Sequence, residues 1–259
     1  MKKAFGYERQ QIILEKLDEQ NSITIKELTA LLNVSEATLR SDLRKLEEKK
    51  LLMRTHGGAM AVDHNIPDTS FSARQSKNKS EKVKIARAAF KKIKNNQCIM
   101  LDASSTALEL AILLKETNLR LTVVTSGLKV AIELTDLPNI TVIILGGIVK
   151  QGSYSIEGTL CKEILNTIHV DHLFVSANGF SIESGFTDFN VYEVELKKLM
   201  VQASKEVTML LDYSKIDKSS IAAFAQIQEI NTFITDRSLP SKYVDFFKQN
   251  DVQLMIAES

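Results

Sequence analysis

Basic, hydroxyl and small side chains alternate with leucines between Ser35 and Lys49. At the spacing of an α-helix, Leu39, Leu43 and Leu46 share one face. The opposite face collects small, hydroxyl and basic residues: Ala37, Thr38, Arg40, Ser41, Arg44 and Lys45. Arginine can donate two hydrogen bonds to a guanine edge, and small residues let a helix approach the bases closely. The pattern therefore predicts a helix that reads the DNA major groove.

A second polar cluster, Asp102-Ala103-Ser104-Ser105-Thr106, follows an apolar run and precedes a helical pattern. Free amides at a helix N-terminus, together with flanking hydroxyls, bind anions and phosphate above all. Hydroxyl side chains at such a position can also simply cap the helix. The residues alone leave both interpretations open. As a phosphate site, the cluster would use Asp102, Ser104, Ser105 and Thr106.

Further polar or glycine-rich segments follow other predicted strands. They are Thr125-Ser126-Gly127, Gly146-Gly147, Asn178-Gly179-Phe180 and Asp212-Tyr213-Ser214-Lys215. Open α/β sheets bind ligands beyond the carboxyl ends of their strands. Glycine lets a ligand approach the backbone, and lysine can supply a positive charge to a phosphate. The ligand contacts predicted from these segments are Ser126, Gly127, Gly147, Asn178, Gly179 and Lys215.

Two helical patterns precede the reading helix and must position it. The first spans about Tyr7 to Gln20. The second opens at Thr24, which with Glu27 forms a Thr-x-x-Glu capping box. Ser35 then caps the third helix, because its hydroxyl can satisfy a backbone amide of the first turn. This order of helices and turn predicts a helix-turn-helix.

Two short apolar runs after the reading helix flank His56-Gly57-Gly58, and glycines there favour a two-stranded wing. Arg54 and His56 are then expected near the DNA phosphates, and Gly57 and Ser35 are also expected to belong to the DNA-binding surface. Residues 1–62 carry eleven Lys and Arg against nine Asp and Glu, so bulk charge adds little support. A winged helix that binds protein is the alternative.

The composition is that of an ordinary soluble chain long enough for two domains, with 259 residues, 44% of them hydrophobic and 25% charged. Since no long apolar window and no signal-peptide core occur, a cytoplasmic location without membrane contact is expected. The polar stretch around Pro67 has little apolar periodicity. We therefore expect a winged helix-turn-helix domain over 1–62, a linker over 63–80 and a second domain over 81–259.

Beyond the linker, short β-branched runs alternate with amphipathic helical patterns. This alternation is typical of a mostly parallel sheet covered by helices. The predicted fold class is α/β, with an N-terminal winged helix-turn-helix followed by this α/β domain.

The run Val34–Leu43, followed by Leu46-Glu47 and by Arg54–Ala59, resembles the signature of the DeoR family of bacterial regulators. That family usually has arginine where Ser41 stands and glycine where Ser104 stands. The resemblance covers nearly the whole chain. It implies that the second domain is similar to ribose phosphate isomerase and senses a phosphorylated sugar.

For function, the resemblance implies a transcription repressor of a carbohydrate-metabolism operon. Its partners would be double-stranded operator DNA and a small phosphorylated sugar, and its assembly a homodimer or a homotetramer. The Asp102 loop would bind the phosphate, and Lys215 would contact it through a motif that resembles the family's Asp-x-Ser-Lys. Gly185-Phe186-Thr187-Asp188 and the helix with Glu193 and Lys197 resemble another family block, expected to close over the ligand.

An active sugar-phosphate isomerase fused to a DNA-binding domain is the competing interpretation. Proton abstraction beside a carbonyl needs a carboxylate next to the bound sugar. The strand end where isomerases of this fold place acids reads Ser176-Ala177-Asn178-Gly179-Phe180, without an acid. Asp102 and Asp212 are expected to orient their own turns. We therefore expect no enzyme activity, no catalytic residue, no metal and no cofactor.

Overall fold

The structure is a computed structural model that describes residues 6–20, 22–49, 51–55, 57–60, 71–149 and 152–258. The chain divides into two compact units, Met1–Arg74 and Gln75–Ser259. Within the segment expected to be a linker, the described part is largely helical. Helix α4 spans Phe71–Ser76, and helix α5 begins at Lys79.

Helices and short strands alternate in the first unit. They are α1 (Gly6–Gln20), β1 (Ser22–Thr24), α2 (Ile25–Leu32), α3 (Glu36–Glu48), β2 (Met53–Thr55) and β3 (Gly58–Met60). Strand β3 pairs antiparallel with both β1 and β2. The β2–β3 hairpin confirms the predicted wing over its described residues, whereas β1 was not predicted.

Local capping in the first unit follows the sequence pattern. Thr24 Oγ1 accepts a hydrogen bond from the Glu27 amide at 3.2 Å, and Glu27 Oε2 accepts one from the Thr24 amide at 2.7 Å. Asn33 ends α2 in the left-handed conformation, with φ 50°. Ser35 Oγ then accepts from the Thr38 amide at 3.3 Å and starts α3. These caps satisfy backbone amides that a helix end would leave without partners.

The core of the first unit is built from apolar side chains of its helices and strands: Ile13, Leu17, Ile23, Ile25, Leu28, Leu39, Leu43, Leu46, Leu52 and Ala59. Each buried Leu or Ile contributes roughly 1.5–3 kcal/mol of transfer free energy. Because α3 supplies three of these leucines, packing sets which side of α3 faces outward.

The second unit alternates helices and strands along most of its length. Its further helices are α5 (Lys79–Phe90), α6 (Ser105–Leu114), α7 (Leu128–Leu134), α8 (Lys162–Thr167), α9 (Val191–Gln202) and α10 (Ser241–Gln249). Its strands are β4 (Cys98–Leu101), β5 (Leu121–Thr125), β6 (Ile140–Ile144), β7 (Ile148–Val149), β8 (Ile156–Glu157), β9 (Val170–Val175), β10 (Gly179–Ser181), β11 (Gly185–Asp188), β12 (Ser204–Leu210), β13 (Ala222–Ala225), β14 (Thr232–Thr235) and β15 (Gln253–Ile256).

In the described part of this unit, seven parallel strands form a sheet in the order β15-β14-β12-β9-β4-β5-β6. Leu101 stands opposite both Thr125 and Phe174, so the carboxyl ends of the central strands meet at one edge. Consecutive β4 residues are fully buried, which means that both faces of the sheet are covered. The predicted α/β class with a mostly parallel sheet is confirmed.

Smaller antiparallel elements accompany the main sheet. Strands β10, β11 and β13 pair with one another, and β7 pairs with β8. Phe180 and Phe186 stack with ring centroids 4.5 Å apart, and both lie close to Phe233 of β14. This aromatic cluster fixes the small sheet against the main one. Along the described residues, no helix has the length and apolar character that a membrane span requires.

Candidate functional site

Helix α3 has one buried face and one exposed face. Leu39, Leu43 and Leu46 are at most 1% exposed. The side chains of Arg40 and Arg44 are 54% and 65% exposed. The predicted division of this helix into a packing face and a free face is therefore confirmed.

Both arginines of α3 rest in weak surface ion pairs within the helix. Arg40 lies 3.3 Å from Glu36, and Arg44 lies 3.8 Å from Glu48. Exposed pairs of this kind contribute about 0–1 kcal/mol, so they are easily exchanged for other partners. The guanidinium groups are thus available to an incoming anion or base edge.

A buried carboxylate on α3 escaped the sequence analysis. Asp42 Oδ2 accepts a hydrogen bond from Arg9 Nε at 2.9 Å, and its side chain is only 4% exposed. This ion pair links α1 to the inner side of α3 and helps to set the rotation of the helix. The available signal was the position of Asp42, which is three residues after Leu39 and directly before Leu43.

The other predicted DNA contacts surround the arginines. Ala37 and Lys45 are exposed, Ser41 is half-buried, and Thr38 Oγ1 shares a hydrogen bond of 2.9 Å with Ser35 Oγ. Other predicted contacts fall on the wing: Arg54 Nη1 lies 3.6 Å from Glu47 Oε2, and Gly57 is exposed. His56 lies outside the described residues. DNA contact by this set stays a prediction.

In the second unit, Asp102 organises the carboxyl end of β4. Its Oδ1 accepts hydrogen bonds from the amide of Ser104 at 3.1 Å and from its hydroxyl at 2.5 Å. Its Oδ2 accepts one from the amide of Ser176 at 3.0 Å. Asp102 therefore orients its own loop, as expected, and it also joins the end of β4 to the end of β9.

Ser104 serves as the N-cap of α6. Its hydroxyl oxygen accepts a hydrogen bond from the Ala107 amide at 3.0 Å, and Ser105 and Thr106 lie buried in the first turn. Of the two interpretations of this cluster, helix capping is therefore observed for Ser104. Since a helix N-terminus also attracts anions, the cap and a ligand can share this end of α6.

The neighbouring strand end, that of β5, is bonded to the end of β4. Thr125 Oγ1 donates to the Leu101 carbonyl at 2.8 Å and accepts from the Gly127 amide at 3.0 Å. A Cβ on Gly127 would lie 3.1 Å from Ala103 Cα. The structure therefore brings Ser126 and Gly127 beside the Asp102 loop.

On the other side of β9, the end of β12 carries Lys215 in a short 3-10 turn. Lys215 Nζ donates to the Ala177 carbonyl at 2.8 Å. Burial by itself raises the pKa of Asp212, but the charge of Lys215 and the hydrogen bond from Ser214 outweigh it and lower that pKa below its usual value. The turn is thus a charged, ordered element next to the end of β9.

The remaining predicted ligand contacts adjoin the protein's own backbone. A Cβ on Gly147 would lie 2.5 Å from the Glu157 carbonyl oxygen, and one on Gly179 would lie 2.5 Å from that of Lys218. The Asn178 amide donates to the Thr187 carbonyl at 2.9 Å. Glycine at 147 and 179 is therefore required by chain packing, which the sequence analysis did not foresee.

A buried charge cluster lies at the same edge. Lys197 Nζ lies 2.7 Å from Asp188 Oδ2, 3.3 Å from Asp102 Oδ2 and 3.4 Å from Glu193 Oε1, and it donates to the Ser176 carbonyl at 2.9 Å. Burial alone lowers the pKa of Lys197. Three carboxylates, led by Asp188, outweigh that effect and raise the pKa above its ordinary value.

This cluster brings acids to a strand end that has none of its own. The Ser176–Phe180 segment has no acid of its own, but β11 and α9 bring Asp188 and Glu193 to it. Both carboxylate oxygens of Asp102 accept hydrogen bonds, and those of Asp188 accept from Lys197 and from the Phe189 amide. These acids hold loops and a lysine in place. The family resemblance had singled out Asp188, Glu193 and Lys197 as residues that close over a ligand, and the structure shows that they form a buried charge cluster.

The fold and these surfaces define a winged helix-turn-helix protein with an α/β second domain. The sequence profile of the DeoR-like helix-turn-helix domain matches residues 9–65, and that of the DeoR C terminal sensor domain matches residues 77–237. The chain belongs to the DeoR family and is a DNA-binding transcriptional regulator.

Curated relatives agree with this assignment. The HTH-type transcriptional regulator GolR of Listeria innocua is 44% identical over 256 residues, which is 98% of this chain and 100% of GolR. The HTH-type transcriptional repressor GlcR of Bacillus subtilis is 34% identical and aligns over 97% of this chain and 96% of its own length.

Among solved structures, ribose 5-phosphate isomerase A from Methanocaldococcus jannaschii is similar to part of this chain. It has a TM-score of 0.41 and 18% identity, and the match covers 54% of this chain and 55% of that one.

Proposed function

We propose that this regulator represses a carbohydrate-metabolism operon, and that a phosphorylated sugar weakens its binding to the operator. Binding to operator DNA is supported by α3, which exposes its arginines on one face and buries its leucines on the other. The exposed face of such a helix fits the major groove, where Arg40 and Arg44 meet base edges or phosphates. The wing residues Arg54, His56 and Gly57 add contacts to the backbone.

The effector site in this proposal is the carboxyl edge of the main sheet. The α6 N-terminus at Ser105 and Thr106 supplies amides and hydroxyls for the phosphate, and Lys215 supplies a positive charge. Ser126 and Gly127 lie beside the Asp102 loop and line the same edge. Repression as the direction of regulation is supported by the relative GlcR, which is named as a repressor.

We further propose a homodimer or homotetramer in the cytoplasm, where operator DNA is accessible. A helix-turn-helix of this kind binds two half-sites when it is paired by a twofold axis. The second unit exposes apolar side chains that association could cover: Ile148, Val149, Leu160, Val191 and Tyr192.

No catalytic step is part of the proposal. A general base must be positioned to take a proton from the substrate. The carboxylates of Asp102 and Asp188 at this edge accept hydrogen bonds from the chain itself. Their arrangement supports a structural role.

The test is a binding titration with the full-length chain. A preferred operator is first selected from random double-stranded DNA, and binding is then measured by fluorescence anisotropy with glucose 6-phosphate, fructose 1-phosphate, ribose 5-phosphate, inorganic phosphate and the unphosphorylated sugars. We expect at least one sugar phosphate to weaken operator binding, whereas its free sugar has no effect. If no phosphorylated sugar changes operator binding, the sensor assignment is wrong, and if no DNA sequence is selected, so is the DNA assignment.

A further inference from the structure

The turn between α4 and α5 is bonded to a distant part of the second unit through Asn78. This residue has the left-handed conformation, with φ 50° and ψ 41°, at the N-cap position of α5. Its side chain does not cap that helix in the described structure. Instead, Asn78 Nδ2 donates to Asp212 Oδ1 and to Ser214 Oγ, both at 3.0 Å. These bonds span 134 and 136 residues of sequence.

Asn78, Asp212 and Ser214 close a triangle of hydrogen bonds. The Ser214 hydroxyl accepts from Asn78 and donates to Asp212 Oδ1. A hydroxyl has one hydrogen to donate, so a new acceptor at Ser214 takes it away from Asp212. The geometry that holds the Asn78 amide then changes as well.

The same turn continues directly into Lys215, the proposed contact for the effector phosphate. The charge of Lys215 acts on Asp212, and Asp212 is almost fully buried. A phosphate bound at Lys215 would therefore bring negative charge and acceptor oxygens next to both partners of the Asn78 amide.

A second bond holds the turn from the α5 side. The buried Lys82, on the first turns of α5, donates from Nζ to the Lys77 carbonyl at 2.5 Å. Lys77 is thus hydrogen-bonded to α5, and Asn78 to the turn that follows β12. Along the chain, Asn78 follows Arg74, the last residue of the first unit, by four positions.

We propose that Asn78 couples the effector site to the segment that leads to the DNA-binding unit. This inference rests on the proposed function, because it takes the phosphate to bind at the turn that carries Ser214 and Lys215. When the phosphate accepts from Ser214, the triangle is rearranged and the 77–78 turn shifts to a second arrangement. A ligand changes operator binding only if it binds one of two arrangements of the protein more tightly than the other. In this inference, the two arrangements differ in whether the hydrogen bonds of Asn78 to Asp212 and Ser214 are formed.

The experiment uses the full-length chain with Asn78→Gly, and with Asn96→Gly as the matched control. Glycine adopts the left-handed conformation without strain, so the first change removes the amide and leaves the backbone relaxed. Asn96 is an exposed asparagine of the same unit with φ 64°. Operator affinity and affinity for the sugar phosphate that is active on the unmodified chain are measured for all three proteins.

In the unmodified chain and in Asn96→Gly, we expect the sugar phosphate to lower operator affinity by roughly 5- to 150-fold, the usual range of allosteric coupling. In Asn78→Gly, the ratio of operator affinity without sugar phosphate to operator affinity with it should fall below about twofold. The sugar phosphate itself should still bind with an affinity within roughly threefold of that for the unmodified chain. A purely structural role for Asn78 would lower stability or ligand affinity and leave the ratio unchanged.

Hydrogen exchange of the same proteins gives the second readout. The active sugar phosphate should change exchange in peptides covering 71–80 as well as 211–216 in the unmodified chain, and only in 211–216 in Asn78→Gly. Equal coupling in Asn78→Gly and the control would overturn this inference and leave the proposed function intact. A chain in which no sugar phosphate alters peptides 211–216 or operator binding would overturn the proposed function itself.

Discussion

Arg9 Nε donates to Asp42 Oδ2 at 2.9 Å and thereby links α1 to the inner side of α3. The two residues are 33 positions apart, and the pair is largely withdrawn from water. Leu39 and Leu43 of the same helix lie in the core of the first unit, so the ion pair and the leucines together set which residues α3 exposes. The surface proposed to read DNA therefore depends on a contact that is itself hidden from DNA.

Asp42→Ala should destabilise the first unit by about 2–4 kcal/mol, because it leaves the Arg9 guanidinium partly buried without this carboxylate. Thermal unfolding monitored by circular dichroism measures the effect. Glu48→Ala is the control, since its pair with Arg44 is exposed and 3.8 Å long, and it should change stability by less than about 0.5 kcal/mol. Equal effects of the two changes would show that the Arg9–Asp42 pair does not hold α3.

Arg40→Ala should weaken specific operator binding by roughly 10- to 100-fold, corresponding to a lost bidentate base contact of about 1–3 kcal/mol, and leave the fold intact. The exposed Arg87 on α5 provides the matched control, Arg87→Ala. Anisotropy with selected and scrambled DNA separates specific from general binding. Unchanged discrimination between the two DNAs in Arg40→Ala would mean that another surface reads the operator.

Gly57→Ala and Gly58→Ala should differ in stability although they are neighbours in the wing. A Cβ on Gly58 would lie 2.0 Å from the Ile23 carbonyl oxygen, so β3 and β1 must separate, at a cost of about 1–3 kcal/mol. At Gly57, no described atom lies within 4 Å of such a Cβ, and stability should change by less than about 0.5 kcal/mol. Denaturant unfolding of both variants makes the comparison, and a stable Gly58→Ala protein would contradict the β1–β3 pairing.

Lys197→Met should lower the free energy of unfolding of the second unit by about 3–5 kcal/mol, because it leaves Asp188, Glu193 and Asp102 buried without their shared cation. The neighbouring Lys198 lies in a half-exposed pair with Glu195, so Lys198→Met should cost less than about 1 kcal/mol. If Lys197→Met does not fold, the double variant Lys197→Met with Asp188→Asn should recover part of the loss. A Lys197→Met protein as stable as Lys198→Met would show that the cluster is not needed.

Stability of the second unit should depend on His172 between pH 7 and pH 4. Burial lowers the pKa of His172 from 6.5 to about 4, and its Nε2 shares a hydrogen bond of 2.7 Å with Thr208 Oγ1. The unfolded chain therefore binds the proton first as pH falls, so the contribution is complete above pH 6.5 and is lost towards pH 4. The loss should reach about 3 kcal/mol.

His172→Gln should remove that part of the pH dependence, because glutamine does not titrate and can still bond Thr208. The exposed His169 provides His169→Gln as the control, which should keep the original profile. Chemical denaturation at several pH values measures both. If the free energy of unfolding changes with pH equally in His172→Gln and in the unmodified chain, the pH dependence comes from other groups.

Much of the fold follows from local patterns in the sequence. The capping box at Thr24, the N-cap at Ser35 and the leucine spacing of α3 depend on a few neighbouring residues, so these features were predicted at their observed positions. Strand β1 and the small sheet of β10, β11 and β13 were not predicted. Strands so short gain stability only from partners that are distant in sequence, and local patterns do not record those partners.

The candidate site was likewise predicted only in part from the sequence. The sequence identified Asp102 and Lys215 by their places after strands, but it did not place Asp188 and Glu193 beside Ser176, because β11 and α9 reach that edge only through the tertiary fold.

By itself, the sequence determined which residues of α3 can face outward, where the parallel strands end and which family the chain resembles, because these depend on side-chain type and spacing along one element. The tertiary structure alone decided that Arg9 meets Asp42, that Lys197 gathers three carboxylates and that Asn78 bonds the turn at Asp212. Such contacts arise when elements far apart in the chain pack together, and burial then makes each of these polar partners necessary.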